Sequence, residues 1–218
     1  DWAGQPRIVS MVKLVHYLPH REINQEAKKL FERVGKENEF KGLKTEQFVD
    51  AVSEFWAKAY YVHSFREGNT RSLSAFTHAM AKDAGHKLHF DVVSPTRMLE
   101  VSSRSILGDM SGVKRLFGEI IDEKRVERLR TVEQELEKQK FDWRNVYIAT
   151  AEAGESYDGN LIGKGQKEFM VQLKDSRLIV GKIEDFPKNI SNDKIIGFTA
   201  TKEVSEIFTS RAAHYGLT

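Results

Sequence analysis

The chain has 218 residues with 34 Lys and Arg against 32 Asp and Glu, a near-balance that argues against a nucleic-acid binder held by bulk charge. Hydrophobic residues make up 40% of the sequence, enough for a packed core, and the absence of cysteine excludes disulfides, thiolate metal sites and a cysteine nucleophile. No run of about 18 apolar residues is present, so the sequence predicts no membrane span. Asp1 rather than Met opens the chain, which indicates a piece of a longer protein.

Apolar residues at helical spacing predict three helices in the first part of the chain. The first covers Ile23–Val34, and a glycine directly after it suits its C-terminal end. The second covers Phe48–Ala59, has aromatic residues on its apolar face, and takes Thr45 as its N-cap. The third follows a Gly-Asn break and continues from Leu73 to Gly85. The aromatic helix is expected to be central.

Two further helices are predicted before the pattern changes. Ser94 and Pro95 open the first of them, with proline at its first helical position. The second, Asp122–Lys140, is long and polar, and its charges cancel. It carries only a thin apolar stripe of Val126, Leu129 and Leu136. We expect a solvated connecting helix here, with a partner-binding coiled coil as the alternative.

After Phe141 the sequence turns to short apolar runs separated by Gly, Asp and Ser, a pattern typical of a small all-β module. The strand-like runs are Val146–Ile148, Asn160–Ile162, Phe169–Leu173 and Arg177–Val180. Beyond Pro187 the residues are polar and turn-rich, which predicts a linker. Lys202–Arg211 is compatible with one short helix.

The segment His63–Arg71 carries the candidate chemistry because it joins a predicted helix end to a predicted helix start. Free N–H groups and the positive dipole end of the following helix attract an anion, and Gly68 lets the backbone approach a phosphate. Glu67 would suit Mg²⁺, which prefers one or two carboxylates plus phosphate oxygens. Arg71 would pair with phosphate oxygens in bidentate fashion, and His63 would act as a base at neutral pH. Together these residues suggest phosphoryl or nucleotidyl transfer. The alternative is an ordinary helix-ending turn.

This loop resembles the signature of Fic-domain proteins, His-x-Phe-x-(Asp/Glu)-Gly-Asn-Gly-Arg-x-x-Arg. Six of the eight fixed positions match, namely His63, Phe65, Glu67, Gly68, Asn69 and Arg71. Thr70 stands where the family has glycine, and Ser74 stands where it has the second arginine.

The resemblance extends along most of the chain. Residues 1–7 look like the family's (Asp/Glu)-Trp-Ala-Gly-x-x-Arg segment, and residues 8–19 take the place of a β-hairpin flap that clamps target peptide. The β-rich part is similar to the small OB-type fold of Bartonella effector proteins (Bep), which type IV secretion injects into host cells. The resemblance thus implies a mainly α fold: a Fic helical core with its flap at 1–121, truncated at its N-terminus, a connecting helix at 122–141, an OB-like module at 142–187 and a linker or tail at 188–218.

The resemblance implies transfer of AMP from ATP to a hydroxyl side chain of a host target protein. His63 would be the catalytic base, and Glu67, Gly68, Asn69, Thr70 and Arg71 would bind the nucleotide, with Glu67 also holding Mg²⁺. The implied partners are a host protein at the flap and a small antitoxin-like inhibitory protein, with no nucleic acid and no membrane span. The implied location is the bacterial cytoplasm, followed by translocation into the host cell.

The two departures keep an alternative open. A branched Thr70 would crowd a bound phosphate, so we expect strain or a tilted loop. Ser74 removes a cation for the γ-phosphate, and with it the anchor for the family's inhibitory glutamate. A degenerate Fic domain that binds nucleotide but acts by recruiting a host protein is therefore the alternative function. Away from the loop, His86 and His89 are read as solvent-exposed residues rather than a metal pair.

Overall fold

A computed structural model describes residues 15–36, 39–188 and 195–201. The chain divides into two compact units, one ending at Val126 and the other beginning at Glu127. The first is helical and the second is built on a sheet, so the predicted mainly helical fold with a β-rich module is confirmed. Most of the expected flap, residues 8–14, lies outside the described residues, as do the segment 1–7, the linker residues 189–194 and the expected helix at 202–211.

Helices of 10 to 18 residues, together with the start of a sixth, make up most of the first unit. They are α1 (Ile23–Lys36), α2 (Thr45–Val62), α3 (Asn69–Asp83), α4 (Pro95–Ile106), α5 (Ser111–Ile120) and the start of α6 (Glu123–Lys138). Short 3-10 turns occur at His20–Glu22, Phe90–Val92, Trp143–Asn145 and Ile183–Asp185. In the part of the chain that the structure describes, no helix is long and apolar enough to cross a bilayer.

Helix α2 is central to the first unit, as predicted from its aromatic face. Phe48, Val52 and Trp56 are fully buried, and the Trp56 indole N–H donates to the Ser102 hydroxyl on α4 at 2.9 Å. The N-cap prediction was wrong by one residue, because Thr45 is already helical and extended Lys44 precedes it.

A buried ion pair joins α4 to α5. Arg97 and Glu119 contact each other with neither side chain exposed, and Arg125 reaches the same carboxylate at 3.7 Å. The predicted start of α4 is confirmed, since the Ser94 side chain accepts from the Arg97 N–H at 3.2 Å and Pro95 is the first helical residue. The charged pair was not apparent from the sequence because its members are 22 residues apart.

The second unit contains a five-stranded mixed sheet in the order β1-β4-β3-β2-β5. Its strands are β1 (Ile148–Thr150), β2 (Ser156–Lys164), β3 (Glu168–Gln172), β4 (Leu178–Lys182) and β5 (Ile195–Thr199). Strands β1 and β4 are parallel, and the other neighbours are antiparallel. Five strands match the number in an OB-type barrel, and the OB assignment stays a prediction.

Strand β5 corrects one expectation, and helix α6 shows how its apolar stripe is used. Residues 195–199 were assigned to a linker or tail but pair with β2 along their whole length, so that assignment was wrong for them. Ile196 and Phe198 alternate inward, and their pattern is too short to stand out in a turn-rich sequence. The predicted apolar stripe of α6 is buried, with Leu129 at 0% and Leu136 at 4% exposure, while most other side chains of the helix are exposed or partly exposed.

Candidate active site

The loop between α2 and α3 begins at a strained histidine. His63 caps the C-terminus of α2 in the left-handed conformation, with φ 45° and ψ 57°, and its N–H donates to the Ala59 carbonyl at 3.3 Å. Glycine is the usual residue at such a cap, because a side chain there carries a conformational cost. The left-handed turn directs the chain away from α2 and into the loop.

The imidazole of His63 is buried between two tyrosines and is only 4% exposed. Tyr17 stacks on it with ring centroids 3.8 Å apart and planes at 23°. Tyr60, one turn earlier on α2, meets it edge-on at 5.7 Å. These contacts hold the ring in one orientation at the entrance of the loop.

The other end of the loop is the N-terminus of α3. Gly68 precedes the helix with φ +80° and ψ 6°, a conformation that side chains rarely adopt. The first α3 turn closes when the Ser72 N–H donates to the Gly68 carbonyl at 2.9 Å. The N–H groups of residues 69–71 come before that bond and have no intrahelical acceptor. A glycine with positive φ therefore stands directly before a 15-residue helix.

The side chain of Asn69 closes the loop through two hydrogen bonds to the backbone of Phe65. Its side-chain oxygen accepts from the Phe65 N–H at 2.8 Å, and its side-chain nitrogen donates to the Phe65 carbonyl at 2.5 Å. The guanidinium of Arg71 folds back over the loop, since its Nη2 atom would lie 3.6 Å from a Cβ built on Gly68. A helix N-terminus and an arginine thus converge on the backbone at Gly68, an arrangement suited to a phosphate group.

Glu67 is exposed at the tip of the loop, next to Gly68. The described residues include no group of three or more His, Asp or Glu side chains that would hold a metal on their own. Mg²⁺ bound with a nucleotide needs no such group, because phosphate oxygens and water supply most of its ligands. A single exposed carboxylate beside an anion site therefore fits the metal-ligand role predicted for Glu67.

The two positions that depart from the Fic signature are both helical. Thr70 lies in the first turn of α3 and is not among the described residues with positive φ, so its backbone conformation needs no glycine. The crowding of a bound phosphate by its side chain stays a prediction. Ser74 lies one turn further along α3, half-buried, and supplies no positive charge.

Tyr60 is the residue at this site that sequence reasoning missed. It is 3% exposed, and burial raises the pKa of its phenol well above the ordinary value, with hydrogen bonding to Tyr17 raising it further. The hydroxyls of Ser103 and Thr70 act in the opposite direction. The one available signal was its spacing, because a residue three positions before His63 on a helix shares its face.

His86 and His89, away from the loop, both contact other residues of the first unit. His86 stacks on Phe48 with centroids 4.1 Å apart, and its Nε2 lies 3.1 Å from the Leu43 carbonyl. His89 is 6% exposed, with its Nε2 3.1 Å from a Glu123 carboxylate oxygen. The expectation of a solvent-exposed pair was therefore wrong for His89, because this carboxylate lets the ring be buried.

Sequence comparison relates the chain to bacterial adenylyltransferases, although no protein-family model matches it. A protein adenylyltransferase of Bartonella henselae is 30% identical over 190 residues, which are 83% of this chain and 34% of the relative. The protein adenylyltransferase VbhT of Bartonella schoenbuchensis is 28% identical over 138 residues, which are 62% of this chain and 28% of the relative. The chain thus spans about a third of the length of these curated relatives.

Structure comparison relates both units to solved effector structures. The type IV secretion effector BepA has a TM-score of 0.82 at 24% identity, covering 93% of this chain and 75% of the effector. The N-terminal Fic domain of a Bartonella quintana effector with bound ADP has a TM-score of 0.52 at 25% identity, covering 58% and 68%. BepC of Bartonella tribocorum with bound AMPPNP has a TM-score of 0.52 at 24% identity, covering 55% and 65%. The chain therefore has a Fic fold followed by a β-rich module and resembles the Bep effectors.

Proposed function

We propose that this chain, with its Fic fold, is a protein adenylyltransferase that transfers AMP from ATP to a hydroxyl side chain of a target protein. The observation that carries the proposal is the arrangement of one short loop. A histidine held by two tyrosines stands at its entrance, and a helix N-terminus with a positive-φ glycine and a folded-back arginine stands at its exit. A base and a phosphate site are the two parts that such a transfer requires.

The triphosphate would bind across the start of α3. The N–H groups of residues 69–71 and the Arg71 guanidinium would contact phosphate oxygens, and Asn69 would keep the loop open by holding Phe65. ADP in the Bartonella quintana Fic domain and AMPPNP in BepC support nucleotide binding by this fold. Bound with the nucleotide, Mg²⁺ would be held by Glu67 and would supply charge stabilisation at the phosphates.

The proposed reaction is a single displacement at the α-phosphorus of ATP. His63 removes the proton from the target Ser, Thr or Tyr hydroxyl, and the oxygen attacks the α-phosphorus of ATP. A new oxygen–phosphorus bond forms, the bond between the α-phosphorus and its bridging oxygen breaks, and pyrophosphate leaves. The proton remains on His63 until solvent accepts it. Burial of the ring beside Tyr17 limits the directions from which a hydroxyl can approach.

The partners follow from the same relatives. BepA is a type IV secretion effector, so a host protein docked at the flap is the proposed target, and a host cell is the proposed site of action. A small antitoxin-like protein is a second proposed partner. Since Ser74 replaces the arginine that anchors the family's inhibitory glutamate, such a protein would have to restrain this loop by other contacts.

A second candidate function is favoured by the burial of His63. A base that is 4% exposed and stacked under Tyr17 suits a domain that keeps its nucleotide site but acts by recruiting a host protein. In that case the chain would bind nucleotide, label nothing, and bind its partner independently of the histidine.

The two functions are separated by replacing the histidine. His63→Ala is expected to reduce label transfer from α-labelled ATP to proteins of a host lysate by about 100-fold or more, while calorimetric binding of a non-hydrolysable ATP analogue with Mg²⁺ persists. His78→Ala removes the same side chain from the exposed part of α3 and should leave transfer unchanged. Analogue binding without any labelling by the unmodified chain would support the recruiting function, and absence of both would overturn both proposals.

A further inference from the structure

The imidazole proposed as the base is enclosed in this structure. Both ring nitrogens of His63 are buried, and the residue as a whole is 4% exposed. A general base takes up a proton only when its nitrogen comes within about 2.6–3.2 Å of the hydroxyl, directly or through one water. Neither a target side chain nor solvent reaches that distance while the ring is enclosed. Proton transfer to His63 therefore requires one of the groups around the ring to move.

Two tyrosines lie against the ring, and they are held in different ways. Tyr60 belongs to the last turn of the 18-residue helix α2 and approaches His63 edge-on at 5.7 Å. Tyr17 lies in neither a helix nor a strand, and it covers the flat face of the imidazole with centroids 3.8 Å apart and planes at 23°. Moving Tyr60 would disturb the central helix of the unit, whereas Tyr17 can move without disturbing one.

The neighbours of Tyr17 place a hinge directly after it. Leu18 is fixed, because its N–H donates to the Tyr61 carbonyl at 3.0 Å and its side chain is buried in one cluster with Val62. On the other side of Tyr17, His16 is exposed. Rotation at Tyr17 would lift its ring from the imidazole and leave the anchor at Leu18 in place.

We infer that Tyr17 covers His63 in the free chain and is displaced when a target segment docks, so that the target hydroxyl rather than water is activated. The inference rests on the proposed function, because it concerns the proposed base. While Tyr17 covers the ring, water that attacks the α-phosphorus of bound ATP, which would give AMP and pyrophosphate, has no base to take up its proton. Closing a reactive site against water prevents this kind of side reaction.

The test measures how fast diethyl pyrocarbonate modifies His63, since this reagent attacks an accessible, unprotonated imidazole nitrogen. Peptide mass spectrometry resolves each histidine, and the exposed His16 is the internal reference in the same chain. Tyr17→Ala removes the cover, whereas Tyr17→Phe keeps the ring that stacks on the imidazole. Tyr61→Ala is the matched control, because it removes a phenol from α2 where the side chain is 38% exposed.

In the parent chain at pH 7, His63 is expected to react at least about tenfold more slowly than His16, because stacking and apolar burial keep Tyr17 over the ring. Tyr17→Ala should raise the rate at His63 by about tenfold or more, since both contributions are then lost. Tyr17→Phe and Tyr61→Ala should leave that rate unchanged. The affinity for a non-hydrolysable ATP analogue with Mg²⁺ should stay that of the parent in every variant.

A second readout follows the AMP released from α-labelled ATP. Tyr17→Ala is expected to release AMP to water about tenfold faster than the parent, because the uncovered base then serves water as well as the target. The ratio of protein labelling in a host lysate to hydrolysis should therefore fall. A purely structural role of Tyr17 would lower both rates together and leave their ratio unchanged.

A His63 that reacts as fast as His16 in the parent chain would overturn the inference, and this measurement does not depend on the folding of any variant. The inference also fails if Tyr17→Ala, shown to be folded by thermal unfolding, leaves His63 as slow as before or keeps the parent's ratio of labelling to hydrolysis. If the parent chain transfers no AMP, the proposed function fails, but the modification rates still decide whether Tyr17 covers His63.

Discussion

Asn69 binds both backbone groups of Phe65, accepting from its N–H at 2.8 Å and donating to its carbonyl at 2.5 Å. A side-chain amide is the one uncharged group that offers a donor and an acceptor side by side. The paired bonds close the loop over four residues. The chain therefore holds the loop in this shape by its own contacts.

Asn69→Asp is expected to weaken binding of the ATP analogue by about tenfold or more, because a carboxylate would repel the phosphates and cannot donate to the Phe65 carbonyl. Stability should fall by only about 1 kcal/mol, the cost of one lost hydrogen bond. Calorimetry and thermal unfolding measure the two effects. Asn24→Asp, the same change in the exposed first turn of α1, should leave affinity unchanged, and equal affinities in both variants would contradict this role of Asn69.

Gly68→Ala is expected to destabilise the chain by about 1–2 kcal/mol and to weaken analogue binding, because alanine disfavours the left-handed backbone. The cost is conformational, since the new Cβ would meet only the Arg71 guanidinium at an ordinary 3.6 Å. Gly118→Ala on α5 meets nothing within 4 Å and should stabilise its helix slightly. Urea unfolding compares them, and a stabilised Gly68→Ala variant would contradict the strained geometry.

Arg97→Ala is expected to cost about 3–5 kcal/mol, because it removes the guanidinium that contacts the fully buried Glu119 carboxylate. Replacing both members, as Arg97→Met with Glu119→Leu, should restore much of that loss, since the carboxylate is then no longer buried without Arg97. Lys29→Ala breaks an exposed pair with Glu26 and should have little effect on urea unfolding. A double variant as unstable as Arg97→Ala would show that packing, and not charge, sets the cost.

Glu168→Gln is expected to raise the melting temperature of the second unit at pH 7. Burial raises the pKa of Glu168, which Arg128 and Lys167 only partly oppose. The Glu168 carboxyl therefore holds its proton more tightly in the folded state than in the unfolded state. Ionisation of Glu168 at neutral pH costs stability, and that cost disappears as the pH falls. The advantage of the variant should vanish below about pH 4.

Thermal unfolding at the two pH values checks this expectation. Glu155→Gln removes an exposed carboxyl from the same unit and serves as the control. A gain for Glu168→Gln that is equally large in acid would show that it has another origin than the carboxyl's charge.

The helices and the loop were predictable because their signals are local. Apolar periodicity predicted α1 to α3, Ser94 with Pro95 predicted the start of α4, and the Gly-Asn pair marked the break before α3, whereas α5 was not among the predicted helices. Strand β5 was missed because its evidence is its pairing with β2, which is distant along the chain. The N-cap of α2 was misplaced by one residue because neighbouring polar residues compete for such positions.

The sequence alone was therefore sufficient to place a histidine, a glycine and an arginine on one loop between two helices, because that information lies within nine consecutive residues. Folding decided what surrounds them. Tyr17 and Tyr60 come from separate segments of the chain, and only packing brings both of their rings against His63.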